Sequence, residues 1–129
     1  MRLYVFADYA SPYCYLAETQ VALLRGRGDI VTERAAYELR PAGTPLMDPD
    51  EPWLLEGWQR SIEPLAASLG VTMKRPRIMT RTRKAHEAVA YARSRGHGVA
   101  LHEAIYRAYW QDGRDIGRID VLAELAAGV

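Results

Sequence analysis

The opening of the chain restricts its fold more than any other stretch. Leu3, Tyr4, Val5 and Phe6 form an apolar, aromatic-rich run of strand character, which Asp8 ends. Ser11 and Pro12 then have the form of a helix start. A serine cap accepts hydrogen bonds from the first-turn amides, and proline has no N–H to lose at the first helical position. A strand that turns tightly into a helix leaves free amide donors and a partial positive charge at the turn. Such a terminus favours anions and makes a thiol placed there more acidic. Cys14, the only cysteine in 129 residues, lies three positions after the cap.

The rest of the chain is placed around this unit. The spacing predicts a first strand over 2–8 and a first helix over 12–25, with Leu16, Val21, Ala22 and Leu24 on or near its apolar face. Gly26 or Gly28 ends the helix. A second strand follows over 30–38, and a crossover of this length makes the pair parallel and right-handed. Five prolines and glycines between 41 and 52 mark a loop. Beyond it the pattern is helical. Trp53, Leu54, Leu55, Trp58, Ile62, Leu65 and Leu69 recur at helical spacing, but Pro64 predicts a kink or two short helices. Further helices are expected over 82–95, 99–111 and 119–127, with an irregular basic segment at 71–81 and a turn at 112–117. Trp53, Trp58, Trp110, Tyr91, Tyr106 and Tyr109 are expected mainly in core and helix packing.

Length bounds this to a single domain over 1–129, with a β-α-β opening at 1–40 and a helical portion from about 50 onward. Two parallel strands do not make a stable sheet by themselves. A net charge of +1 does not point to a charged partner, and one cysteine excludes an internal disulfide. The N-terminal apolar run is too short for a signal peptide or a membrane span. The chain is read as cytoplasmic.

The segment Ser11, Pro12, Tyr13, Cys14, Tyr15, Leu16, following a strand and a turn, resembles the active-site opening of the DsbA-like branch of the thioredoxin superfamily. The FrnE-type proteins of that branch carry Cys-Pro-Trp-Cys-Tyr at this place. A second stretch carries the same resemblance: Ala104, Ile105, Tyr106, Arg107, Ala108, Tyr109 and Trp110, then Asp112, Gly113, Arg114, Asp115 and Ile116, then a Leu-rich segment from Val121 to Ala126. It is similar to the FrnE-type helical insert. The resemblance implies an α/β fold, thioredoxin-like and of DsbA type, with a short parallel sheet and four to five helices after it. It also implies closing elements, namely a cis-proline loop, two strands and a helix, for which this chain has no matching segment. The chain is therefore expected to be a truncated product, a fragment, or a protomer that completes its sheet with another copy. The opening is also similar to 2-hydroxychromene-2-carboxylate isomerases and kappa-class glutathione transferases, whose Ser-Pro-x-x-Tyr-Leu serine addresses the glutathione sulfur. Ser11 matches that serine.

The dithiol motif needs two cysteines, and Ser11 stands where the nucleophilic one would be. A serine cannot form the mixed disulfide through which exchange runs. The resemblance thus implies at most monothiol chemistry through Cys14, with no bound cofactor and with glutathione, or another small thiol or small molecule, as co-substrate. Catalytic roles fall on Ser11 and Cys14, and substrate-binding roles on Pro12, Tyr13 and Tyr15. Each position also has a plainer reading. Cys14 serves equally as a small buried apolar side chain, and Ser11 as a cap worth about 1 kcal/mol. The alternative enzyme is a glutathione-dependent isomerase or transferase built on Ser11. The non-enzymatic alternative is an interaction protein whose exposed sheet edge drives homodimerisation.

Metal and nucleic acid are not expected. His86, His97 and His102 do not fall at the spacing that puts two ligands on one helix face. Lys74, Arg75, Arg77, Arg81, Arg83 and Lys84 form a basic run without interleaved aromatics, which reads as a solvated loop and helix start.

Overall fold

The computed structural model describes residues 1–129. Strand β1 (Arg2–Ala7) leads through a turn into α1 (Pro12–Arg25), which returns to β2 (Val31–Ala36). The strands pair in parallel, Arg2 opposite Val31 and Ala7 opposite Ala36, as the long crossover requires. The sheet has only these two strands. Its helix-facing side carries Leu3, Val5, Thr32 and Arg34. There, Arg25 Nε donates to Thr32 Oγ1 and Arg34 Nε donates to Glu18 Oε1, both from or to α1. The other side carries Tyr4, Phe6 and Val31, all largely exposed.

After a loop, α2 (Pro52–Gly57) and α3 (Glu63–Leu69) are joined by a π-helical segment, Trp58–Ile62. Pro64 cannot donate the amide hydrogen that a continuous α-helix needs, and the chain widens before it. The Glu63 amide reaches back five residues to the Trp58 carbonyl. The widened turn aims Trp58 and Ile62 inward together, and both are buried. Helices α4 (Arg83–Ser94), α5 (Gly98–Trp110) and α6 (Ile119–Ala127) complete the chain. The element boundaries match the sequence expectation to within two residues.

Helix α5 is the centre of the core. Leu101, Ile105, Tyr106, Ala108, Tyr109 and Trp110 are all buried on it. Leu16 of α1, Trp58, Ile62, Ala85, Val89, Ile116 and Leu122 pack around them. Gly98 lets α5 start directly against α4, since a Cβ there would lie 2.9 Å from the Arg93 Cα. Three sequence expectations are corrected. Trp53 and Tyr91 are 59% and 64% exposed, because their positions face outward on α2 and α4. Ala22 is exposed, which leaves Leu16 and Val21 as the buried face of α1.

The basic segment before α4 is structural. Arg81 Nη1 donates to the carbonyls of Arg40, Pro41 and Thr44, and Arg75 Nη1 donates to the Pro49 carbonyl. These guanidinium groups hold the proline-rich loop of 40–49 against the helices.

Candidate active site

The turn between β1 and α1 is built from Asp8, Tyr9, Ala10 and Ser11, closed by the Ser11 amide donating to the Asp8 carbonyl at 3.2 Å. Ser11 has extended backbone geometry, and its Oγ accepts the Cys14 amide hydrogen at 3.2 Å. Pro12 follows at the first helical position. The cap side chain and the proline together satisfy the helix terminus in the manner their residue types allow.

Each expected site residue has a distinct placement. Cys14 is half-buried and packs against the core cluster. Burial raises the pKa of the neighbouring Tyr106 hydroxyl. Ser11 and Pro12 are half-buried at the helix head. Tyr13 is exposed, and its hydroxyl lies 2.8 Å from Ser61 Oγ on the π-helical segment, so it bridges the helix head to the helical portion. Tyr15 turns inward. Its ring stacks on Trp110 at 6.2 Å, and its hydroxyl accepts from Gln111 Nε2 at 2.7 Å. Tyr15 therefore anchors α1 to α5.

A set of polar residues that sequence spacing did not single out holds this turn. Asp8 is buried, and His86 Nε2 lies 3.1 Å from its Oδ1 while the Leu39 amide donates to its Oδ2 at 2.7 Å. Burial opposes the Asp8 charge, but hydrogen bonds from His86, Thr82 and Leu39 outweigh it and hold the carboxyl below its ordinary value. Tyr9, also buried, places its hydroxyl 2.9 Å from His102 Nδ1. Burial raises the Tyr9 pKa, so the phenol stays protonated. The other ring nitrogen of His102 is 3.2 Å from Glu18 Oε1. Glu18 also accepts from Arg34. Burial works against the Glu18 charge, yet His102 and Arg34 hold its carboxyl down at about 2. The Trp110 indole donates to the Tyr9 carbonyl at 2.9 Å.

The signal for this network in the sequence was Asp8, a carboxylate that breaks an apolar run. Its side-chain partners Leu39 and His86 lie 31 and 78 positions away, beyond any helical spacing rule.

Beside the turn, a recess of about 40 Å³ opens at Ala10, with Leu39, Leu46, Met47 and Met79 in its wall. The larger recesses, about 480, 390 and 310 Å³, lie beside Trp58 and Ala66 in the first case and between β2 and α4–α5 in the other two, and none of Ser11, Pro12, Tyr13 or Cys14 lines them. No group of three His, Cys, Asp or Glu side chains is placed to hold a metal ion.

A strand, a capped turn and a Ser-Pro-Tyr-Cys helix head, with a helical portion set on α1, are the parts of one known architecture. Residues 2–129 match the DSBA-like thioredoxin domain. The chain belongs to that family. It is 31% identical to the Bacillus subtilis (strain 168) protein YwbO over 133 residues, covering all of this chain and 66% of that protein. Two solved structures of this DsbA-like fold are similar to it. A probable DsbA oxidoreductase, SCO1869 from Streptomyces coelicolor, matches with a TM-score of 0.74 at 24% identity over 99% of this chain and 62% of its own. The cytosolic disulfide reductase DsbM of Pseudomonas aeruginosa, solved with GSH, matches with a TM-score of 0.71 at 20% identity over 99% of this chain and 64% of its own. The chain thus spans less than two thirds of the length of each of these relatives. Its fold is thioredoxin-like and of DsbA type, with a short parallel two-stranded sheet. No helix of this DsbA-like domain is long and apolar enough to cross a membrane.

Proposed function

We propose that this DsbA-family domain exchanges small thiols through a single sulfur, Cys14, at the head of α1. The observation that carries the reading is the placement of the chain's one thiol in the first helical turn, where amide dipoles favour a thiolate. In the forward step the Cys14 thiolate attacks the glutathionyl sulfur of a mixed disulfide. A Cys14–glutathione disulfide forms, the original S–S bond breaks, and the released thiolate takes a proton from water. A second glutathione thiolate then attacks the same glutathionyl sulfur, leaving oxidised glutathione and the Cys14 thiolate. Ser11 supplies no sulfur. Its oxygen is occupied as an acceptor by the Cys14 amide, and its hydroxyl proton is free for a bound or departing sulfur.

That free hydroxyl proton also favours a second reading, in which Ser11 and the helix head hold a glutathione thiolate that adds to a small-molecule substrate. The test is glutathione-dependent reduction of a glutathionylated peptide, with glutathione binding followed by calorimetry. In the first reading Cys14→Ser abolishes turnover and Ser11→Ala leaves a measurable part of it. In the second, Ser11→Ala removes glutathione binding and Cys14→Ser spares it.

A further inference from the structure

One hydrogen bond joins α1 to the helical segment 52–69. The Tyr13 hydroxyl lies 2.8 Å from Ser61 Oγ, on the π-helical turn between α2 and α3. No other hydrogen bond connects the two segments. Tyr13 is 52% exposed, and Ser61 is exposed as well. Deeper in, the contact is apolar. Leu16 of α1 is almost fully buried, and it shares one cluster with Trp58, Ile62 and Ala66. Cys14 packs against that cluster and is half-buried. The seam between α1 and the π-helical turn therefore runs from an exposed hydroxyl pair to a buried apolar floor, and the thiol lies between those two levels. The π-helical turn sets this contact. It holds one residue more than an α turn, which rotates the side chains beyond it by about 100°. Trp58 and Ile62 are buried by it, while Ser61 is left at the surface against Tyr13. Such turns are rare inside helices and recur at functional sites.

We infer that Ser61 is a positioning residue: it pins the Tyr13 ring across the seam and so sets how readily a disulfide reaches Cys14. The inference rests on Cys14 as the reacting sulfur. Thiol–disulfide exchange needs access of the thiolate to the disulfide sulfur. A half-buried thiol gains that access only where a neighbour yields. Leu16, Trp58 and Ile62 are held by burial. Tyr13, the residue next to Cys14, is held at its far end by one exposed hydrogen bond, so its ring is the neighbour that moves. The net strength of one hydrogen bond is modest. The ring thus swings aside in a sizeable minority of molecules, and the gate slows the thiol without sealing it.

The test is the reaction rate of Cys14 in the native full chain with two probes, iodoacetamide as the small one and oxidised glutathione as the large one. Ser61→Ala and Tyr13→Phe each remove the hydrogen bond and little else. Both are expected to raise the rate with oxidised glutathione about three- to ten-fold, the factor that one hydrogen bond of ordinary net strength supplies. The rate with iodoacetamide should rise less. The double variant should gain no more than either single one, and Ser61→Thr, which restores a hydroxyl, should return to the wild-type rate. Both sites are exposed, so urea unfolding should be little changed, and a general loosening of the fold would speed both probes alike. Equal rates in wild type and variants overturn the proposal and leave Cys14 as the reacting sulfur. Additive gains in the double variant also overturn it, because the two hydroxyls would then act separately. If oxidised glutathione gives no adduct in any variant while iodoacetamide keeps the expected ranking, the gate stands and the thiol-exchange reading fails. No native reaction with either probe overturns both.

Discussion

Ser11 Oγ accepts the amide hydrogen of Cys14 at 3.2 Å, so the two ends of the Ser-Pro-Tyr-Cys segment are joined through the backbone. In a dithiol motif the same two positions would be joined through sulfur. Here the first position has become a cap, and whatever redox chemistry remains is left to the second. Removing the cap hydroxyl should therefore cost stability before it costs thiol chemistry. Ser11→Ala is expected to lower unfolding free energy by about 1 kcal/mol in urea titrations, with Ser11→Asp retaining most of it. Cys14 should still take up glutathione in both.

Glu18 and Arg34 are half-buried partners, and His102 lies against the same carboxylate. Cutting one member strands the other in a poorly hydrated site. Arg34→Ala is expected to destabilise the domain by about 3 kcal/mol, and the double change Glu18→Leu with Arg34→Met by much less. Chemical denaturation of the two variants and the wild type checks both statements.

Asp8 and Glu18 give the domain an acid limit. Both carboxyls are held below their ordinary values in the folded state, so the unfolded chain binds more protons as the pH falls. Their contribution is fully present above the ordinary Glu value of 4.5 and is lost as the pH drops toward about 2. Stability followed by fluorescence should decline through that window. Asp8→Asn should flatten the part due to Asp8, at the expense of a lower plateau at neutral pH.

Much of the fold was legible because its local signals agree with one another. Ser11 and Pro12 mark the start of α1, the glycines near 96 and 113 separate the last helices, and α5 carries its apolar residues at regular spacing. The π-helical turn was legible only as a break, because Pro64 announces a missing hydrogen bond without saying how the chain absorbs it. The exposure of Trp53 and Tyr91 was not legible, since an aromatic at helical spacing looks the same on either face until the partner element is known. The same holds at the site. Ser11, Tyr13 and Cys14 are close in sequence and could be named together. The Asp8–His86 and Tyr9–His102 contacts join residues 78 and 93 positions apart, and only the packing of α4 and α5 against the turn brings them together.

Gly117 supports the last turn before α6. A Cβ there would lie 2.5 Å from Thr80 Oγ1 and 3.2 Å from the Arg81 carbonyl, close to the Thr80–Asp115 hydrogen bond. Gly117→Ala is expected to destabilise the domain by about 1–3 kcal/mol. The loss should show in thermal unfolding while glutathione uptake by Cys14 stays intact in the folded fraction.

The most direct measurement is mass spectrometry of the native protein after exposure to oxidised glutathione. The account predicts a single glutathionyl adduct on Cys14, absent in Cys14→Ser and removed again by reduced glutathione. An adduct that forms only after the protein is unfolded would contradict it, because Cys14 would then be a packing residue and the chemistry of this helix head would rest on Ser11 or be absent.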